Sequence, residues 1–248
     1  INQFVKIFLG LAKLFVEKHT DNIVFDTSRK EWKVFQDGIW LQSEDAEKLI
    51  FHFYYQLILD IDNNAYQNLP TFSRVWLCKQ MNRGNLSSAL KIVQVMTAIG
   101  INKLNAKHNL IGIQEKVFDC ETVSMRPAQA SDLVMKSLGT NYDENAKCPE
   151  WKKFLKTAMQ DNQEMLDYLQ CLVGYFLTAS TKEQEIYYFY GTGANGKSTF
   201  LDLVKALLGT YGVKVSSDSF MKKSSGTLNL GSQASLAMLA GARLAITD

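Results

Sequence analysis

One octapeptide constrains this chain more than any other feature. Gly191-Thr-Gly-Ala-Asn-Gly-Lys197-Ser198 fits GxxxxGK[ST] at every fixed position. The run before it, Glu185–Tyr190 (EIYYFY), is β-rich with aromatics at successive positions, as in a strand buried on both faces. The run after it, Lys197 to Leu208, reads as a helix. A strand, a glycine-rich turn and a helix in that order turn backbone N–H groups inward around an anion. Side chains would block the approach, hence Gly191, Gly193 and Gly196. The helix adds its positive N-terminal end. In such a loop Lys197 reaches the β- and γ-phosphates and the Ser198 hydroxyl binds Mg²⁺. Thr192, Ala194, Asn195 and Thr199 complete the segment. The expected ligands are ATP and Mg²⁺. The plain alternative is a glycine turn that happens to precede a helix.

Some fifty residues on, Leu244-Ala-Ile-Thr-Asp248 is an apolar run ending in an acid. A strand of that kind can set the Asp248 carboxylate beside the loop, where it supports Mg²⁺ and the catalysis Lys197 begins. Any buried strand can also end in Asp. Between the two motifs, Val213–Ser216 reads as a strand, Lys222–Ser232 as a Ser/Gly loop and Gln233–Leu239 as a helix. Strand, helix, strand, helix, strand predicts a mainly parallel α/β sheet.

The remaining chain of 248 residues divides less sharply. Helices are expected at 1–18, from Ser43 to about 60, at 71–83 and 86–99, at 132–138, 151–159 and 164–177. Short strands are expected at 22–26, 32–36, 39–42, 110–114, 116–119 and 123–126, with Asp37-Gly38 as a two-residue hairpin turn. The polar stretch 141–149 suggests a boundary. The expected organisation is an α+β domain over 1–140, a helical lead-in over 141–181 and an incomplete P-loop ATPase domain over 182–248.

Composition removes several classes. Hydrophobic residues make up 46% and charged residues 21%, which excludes a disordered tail or a collagen-like repeat. No 18-residue apolar run exists, so no membrane span is expected. The net charge is only +2, and the excess falls within 182–248, so a nucleic-acid surface would have to be local or arise by ring assembly. Lys222 and Lys223 are the candidates for DNA contact. Lys152, Lys153 and Lys156 read as a solvated helix face, Trp32 and Trp40 as packing residues, and Arg243 as a partner in a surface salt bridge. Four cysteines lack any CxxC pair and three histidines are scattered, so neither zinc nor a disulfide framework is expected. A reducing cytoplasm, that of a bacterial host cell, is the expected location. The chain starts at Ile and reads as a piece of something longer.

From about residue 110 onward the chain resembles the superfamily 3 helicase region of phage, plasmid and poxvirus primase–helicases. Asn141-Tyr-Asp143 with Cys148-Pro-Glu-Trp-Lys-Lys-Phe-Leu155 resembles the lead-in to that motor. Gly191–Phe200 resembles its phosphate loop, Leu207–Gly212 the segment closing the next helix, and Leu239–Asp248 the run into its Walker B acid. Trp32 to Trp40 (W-x-x-x-x-D-G-x-W) is similar to the start of the region. The resemblance implies an AAA+-like ATPase that assembles as a hexameric ring and moves along single-stranded DNA in replication. It also implies a primase or polymerase module upstream. Two further readings stay open, a small P-loop kinase and a ring-forming scaffold with a regulatory ATP site. Against the kinase, 190 residues precede the loop, and the chain holds five arginines where a lid would need more.

Overall fold

A computed structural model describes residues 3–19, 21–62, 83–217 and 237–247. The chain divides into two compact units, 1–36 with 40–104, and 37–39 with 105–248. The polar stretch 141–149 lies inside the second, as an exposed run leading into a helix.

The first unit contains α1 (Gln3–His19), β1 (Ile23–Asp26), β2 (Glu31–Gln36), β3 (Ile39–Gln42), α2 (Ala46–Asp62), α3 (Arg83–Met96) and β4 (Ala98–Ile99). Its sheet has the order β3-β2-β1-β4, antiparallel between β1 and β2 and parallel between β1 and β4. Asp37 and Gly38 both have positive φ (51° and 79°), as a type I′ turn demands. Phe15, Ile23, Trp32, Ala89, Leu90 and Val93 form the core, so Trp32 packs rather than offering a face to bases. Trp40 is also buried.

Two expected boundaries move because the sheet claims backbone that local pattern gives to helices. Ser43 does not cap α2. Its N–H donates to the Trp32 carbonyl at 3.0 Å, and the helix starts three residues later. Likewise α3 stops at Met96 rather than at Gly100, because the carbonyls of Thr97 and Ile99 accept from Phe25 and Thr27. The helix expected over 71–83 lies outside the described residues but for its last one.

The second unit opens with an antiparallel meander, β5 (Leu110–Ile113), β6 (Lys116–Asp119) and β7 (Ser124–Pro127). Then come α4 (Pro149–Ala158), α5 (Gln163–Leu177), α6 (Lys197–Leu208), β8 (Gly212–Lys214) and β9 (Leu244–Ile246), with β8 and β9 parallel. The Asn162 side chain caps α5 by accepting from the Met165 amide. Leu169, Leu172 and Phe176 of α5 and Phe200, Val204 and Leu208 of α6 meet Ile111, Ile113 and Tyr211 in one core. No helix among the described residues is long and apolar enough to cross a membrane.

Residues 132–138 are not the helix expected. After a 3₁₀ turn at Ala130–Asp132, Leu133 takes a left-handed φ of 55° and the chain runs on as an irregular strap. Several of its backbone groups bond to distant partners instead of making i→i−4 bonds. The Leu133 carbonyl accepts from Asn105, the Leu138 amide donates to Gly112, and the Gly139 amide donates to Leu207 at the end of α6. Asp132 fastens the start of the strap. It is 2% exposed, and Arg126 grips both carboxylate oxygens at 2.7 and 2.8 Å while the Gln129 amide donates at 2.9 Å. Burial pushes the Asp132 pKa up, but the guanidinium and that amide outweigh it and hold it below the ordinary value of 3.8.

Arg243, expected in a surface salt bridge, joins three segments instead. Its guanidinium donates to the carbonyls of Leu177, Leu110 (2.7 Å) and His108 (3.3 Å) and lies 4.5 Å from the Tyr211 ring centroid. The Tyr211 hydroxyl in turn accepts from the Gly112 amide at 2.9 Å. This arrangement ties β9 to the end of α5 and to β5.

Arg243→Ala strands those carbonyls and is expected to cost about 2–3 kcal/mol of unfolding free energy, measured by urea denaturation. Asp132→Asn should destabilise the chain at pH 7. Because the folded-state pKa of Asp132 is depressed, its contribution is present above the unfolded value near 4 and fades as pH falls through the folded value. The gap between wild type and variant is therefore expected to close below about pH 4, which denaturation midpoints across pH 3–7 would show.

Candidate functional site

The segment before the glycine loop is extended, but among the described residues it joins no hydrogen-bonded sheet. Its side chains alternate. Tyr187 and Phe189 pack into the core, with Tyr187 edge-on to Phe176 (5.4 Å) and Phe189 against Phe200 (5.6 Å). Ile186, Tyr188 and Tyr190 face out, at 95%, 84% and 82% exposure. The expectation of a strand buried on both faces is therefore corrected to one buried face. Helices α5 and α6 cover one side, and no described strand covers the other.

The loop itself, Gly191 to Gly196, carries a run of left-handed backbone. Gly193, Ala194 and Gly196 have φ of 93°, 48° and 83°. Left-handed residues interspersed in a tight turn are the kind of backbone from which anion-binding nests are built. Gly196 is the N-cap of α6 and is confined twice over. Its φ disfavours an L side chain, and a Cβ there would stand 2.9 Å from two ring atoms of Phe154. Helix α6 then carries its N–H groups and positive dipole end to the site.

Lys197 Nζ donates to Asn195 Oδ1 at 2.6 Å and to the Gly191 carbonyl at 3.3 Å, so its ammonium lies across the loop. Ser198 and Thr199 are exposed on the first turn of α6, and no acidic side chain shares that turn. Thr192, Ala194 and Asn195 are also exposed. The contiguous site residues Gly191–Thr199 thus sit together. Asp248, Lys222 and Lys223 fall outside the described residues. The strand leading to Asp248 does form, with Leu244↔Gly212 and Ile246↔Lys214 in register. Lys152, Lys153 and Lys156 are exposed on α4, as a solvated face would be.

An aromatic stack under the loop escaped the site reading. Trp151 stacks on Phe154 (5.3 Å) and on Phe200 (5.7 Å), and Phe154 reaches Gly196. The W-x-x-F spacing on α4 was its sequence signal, since residues three apart share a helix face. The far end of α6 is held just as closely. A Cβ on Gly139 would collide with the Ala206 carbonyl oxygen, and one on Gly209 with the backbone of Ser137 to Gly139. Thr210 cements the crossing. Its hydroxyl accepts from the Ser137 amide (2.8 Å) and its amide donates to the Ser137 carbonyl (3.0 Å).

Comparison with known proteins bears on the chain at two levels. A relative from Acanthamoeba polyphaga mimivirus, named "Putative helicase L207/L206", is 31% identical over 115 residues, which is 44% of this chain and 12% of that protein. The chain therefore spans only about an eighth of that relative's length. The family model described as D5 N terminal like matches residues 12–160, from α1 through α4 and its Trp151–Phe154 stack, and stops before the glycine loop. With more than half of its length matched, the chain belongs to the D5 N terminal like family.

Proposed function

We propose that this chain is the nucleotide-binding approach to a replicative DNA helicase of superfamily 3 type, an AAA+-like ATPase in a primase–helicase. The observation that carries the reading is the loop. Left-handed residues 193, 194 and 196 stand directly before α6, with the Lys197 ammonium lying across them. The family membership and the viral relative's name support the helicase part of it. ATP would supply the phosphoanhydride bond whose hydrolysis drives movement on single-stranded DNA. The chain's own residues would do the rest. The amides of 191–196 would cradle the phosphates, Lys197 would offset their charge, and the Ser198 hydroxyl, with Asp248, would hold Mg²⁺. Single-stranded DNA and a hexameric ring are the proposed partners, with Lys222 and Lys223 as the DNA contacts. An upstream primase or polymerase module belongs to the same proposal.

Lys197→Ala is expected to weaken Mg-ATP binding by at least about tenfold, because one charge-assisted hydrogen bond is worth about 1.5–3 kcal/mol. Calorimetric titration measures this, with unchanged circular dichroism as the control. Undiminished binding would sink the assigned role. In the full-length protein, single-stranded DNA is expected to raise ATP turnover, and the particle to sediment as a ring. Phosphoryl transfer to a small acceptor, with no response to DNA, would favour a kinase instead.

A further inference from the structure

The side chain of Asn195 reaches across the glycine loop to meet that of Lys197. Its Oδ1 accepts from Lys197 Nζ at 2.6 Å. Its Nδ2 lies over the Cα of Gly191, so close that a methyl group at 191 would collide with it. Asn195 therefore bridges the first glycine of the loop and its lysine. An ammonium has three donors. Here two are directed by the loop, to Asn195 and to the Gly191 carbonyl. Among the described residues no carboxylate pairs with Lys197.

The chemistry of that partner matters. A carboxylate at 195 could hold the ammonium equally well, but it would cancel the charge and set a negative group beside an incoming phosphate. A neutral amide oxygen orients the ammonium and leaves its charge intact. A flexible lysine also loses substantial rotamer freedom when fixed. A partner that fixes it in advance moves that loss out of the binding step. The side chain of Asn195 is exposed, so the contact is not forced by packing.

We propose that Asn195 is a positioning residue that holds the Lys197 ammonium across the phosphate loop with its charge available to a polyphosphate. The inference rests on the nucleotide reading above and adds a role that GxxxxGK[ST] does not specify, since position 195 is free in that pattern.

Two readouts on the whole chain test it. One is the rate at which the Lys197 amine is modified by an acylating reagent, followed by peptide mass spectrometry. The other is the affinity for Mg-ATP by calorimetric titration. Asn195→Ala is expected to raise amine reactivity several-fold and to weaken Mg-ATP binding about fivefold, with unchanged circular dichroism. Asn195→Asp is expected to keep the amine protected yet bind Mg-ATP more weakly than Asn195→Ala. Unchanged amine reactivity in Asn195→Ala overturns the proposal even if affinity falls, because Asn195 would then act on the loop alone. Unchanged affinity overturns it too. Failure of the nucleotide reading is separable, as it appears in the unsubstituted chain as no Mg-ATP binding at all.

Discussion

Helix α6 is gripped at both ends by chain distant in sequence, and the candidate site depends on that grip. At its N-terminus, Phe154 sits under Gly196, backed by Trp151 and Phe200. At its C-terminus, residues 137–139 cross Ala206–Thr210 at backbone distance, where only glycine fits at 139 and 209. A phosphate loop needs its amides fixed in direction, because preorganised dipoles cost no reorientation when charge arrives. A short helix in water does not supply such rigidity by itself. Here the rigidity comes from packing that belongs mostly to the D5 N terminal like segment, since Phe154 and residues 137–139 all fall within 12–160. The later part of the family segment, from residue 105 on, and the glycine loop thus belong to one compact unit.

The strap shows why such a unit resists local reading. Residues 132–138 have a plausible helical pattern, yet the backbone groups of Leu133, Met135, Ser137 and Leu138 find partners elsewhere, at Asn105, Gly112 and Thr210. Local propensity is a weak term, and several tertiary hydrogen bonds exceed it. Arg243 obeys the same logic. Pattern places it before an apolar strand and suggests solvent, whereas three convergent carbonyls and the Tyr211 face draw it in.

The first unit was largely legible. Trp32 and Trp40 pack, the hairpin at Asp37-Gly38 has the positive φ pair that its dipeptide signals, and the strands fall within a residue or two of expectation. What escaped was the use of short backbone stretches at Ser43 and Thr97–Ile99, because sheet pairing is read from neighbours and leaves little mark on two or three residues. In the candidate site the loop residues 191–199 were legible, since GxxxxGK[ST] encodes backbone geometry through its glycines. Phe154 was not, because a packing partner announces only that it is apolar.

The sequence by itself determined where the left-handed glycine turn forms, which helix follows it, and which lysine opens that helix, for these follow from glycine's φ freedom and from helical spacing. Only the tertiary structure decided that Phe154 floors the loop, that Asn195 reaches across it to Lys197, and that the segment 185–190 buries one face and exposes the other. Those outcomes depend on which surfaces meet in space, and contact between residues far apart in the chain is set by the packing of the whole core rather than by any local pattern.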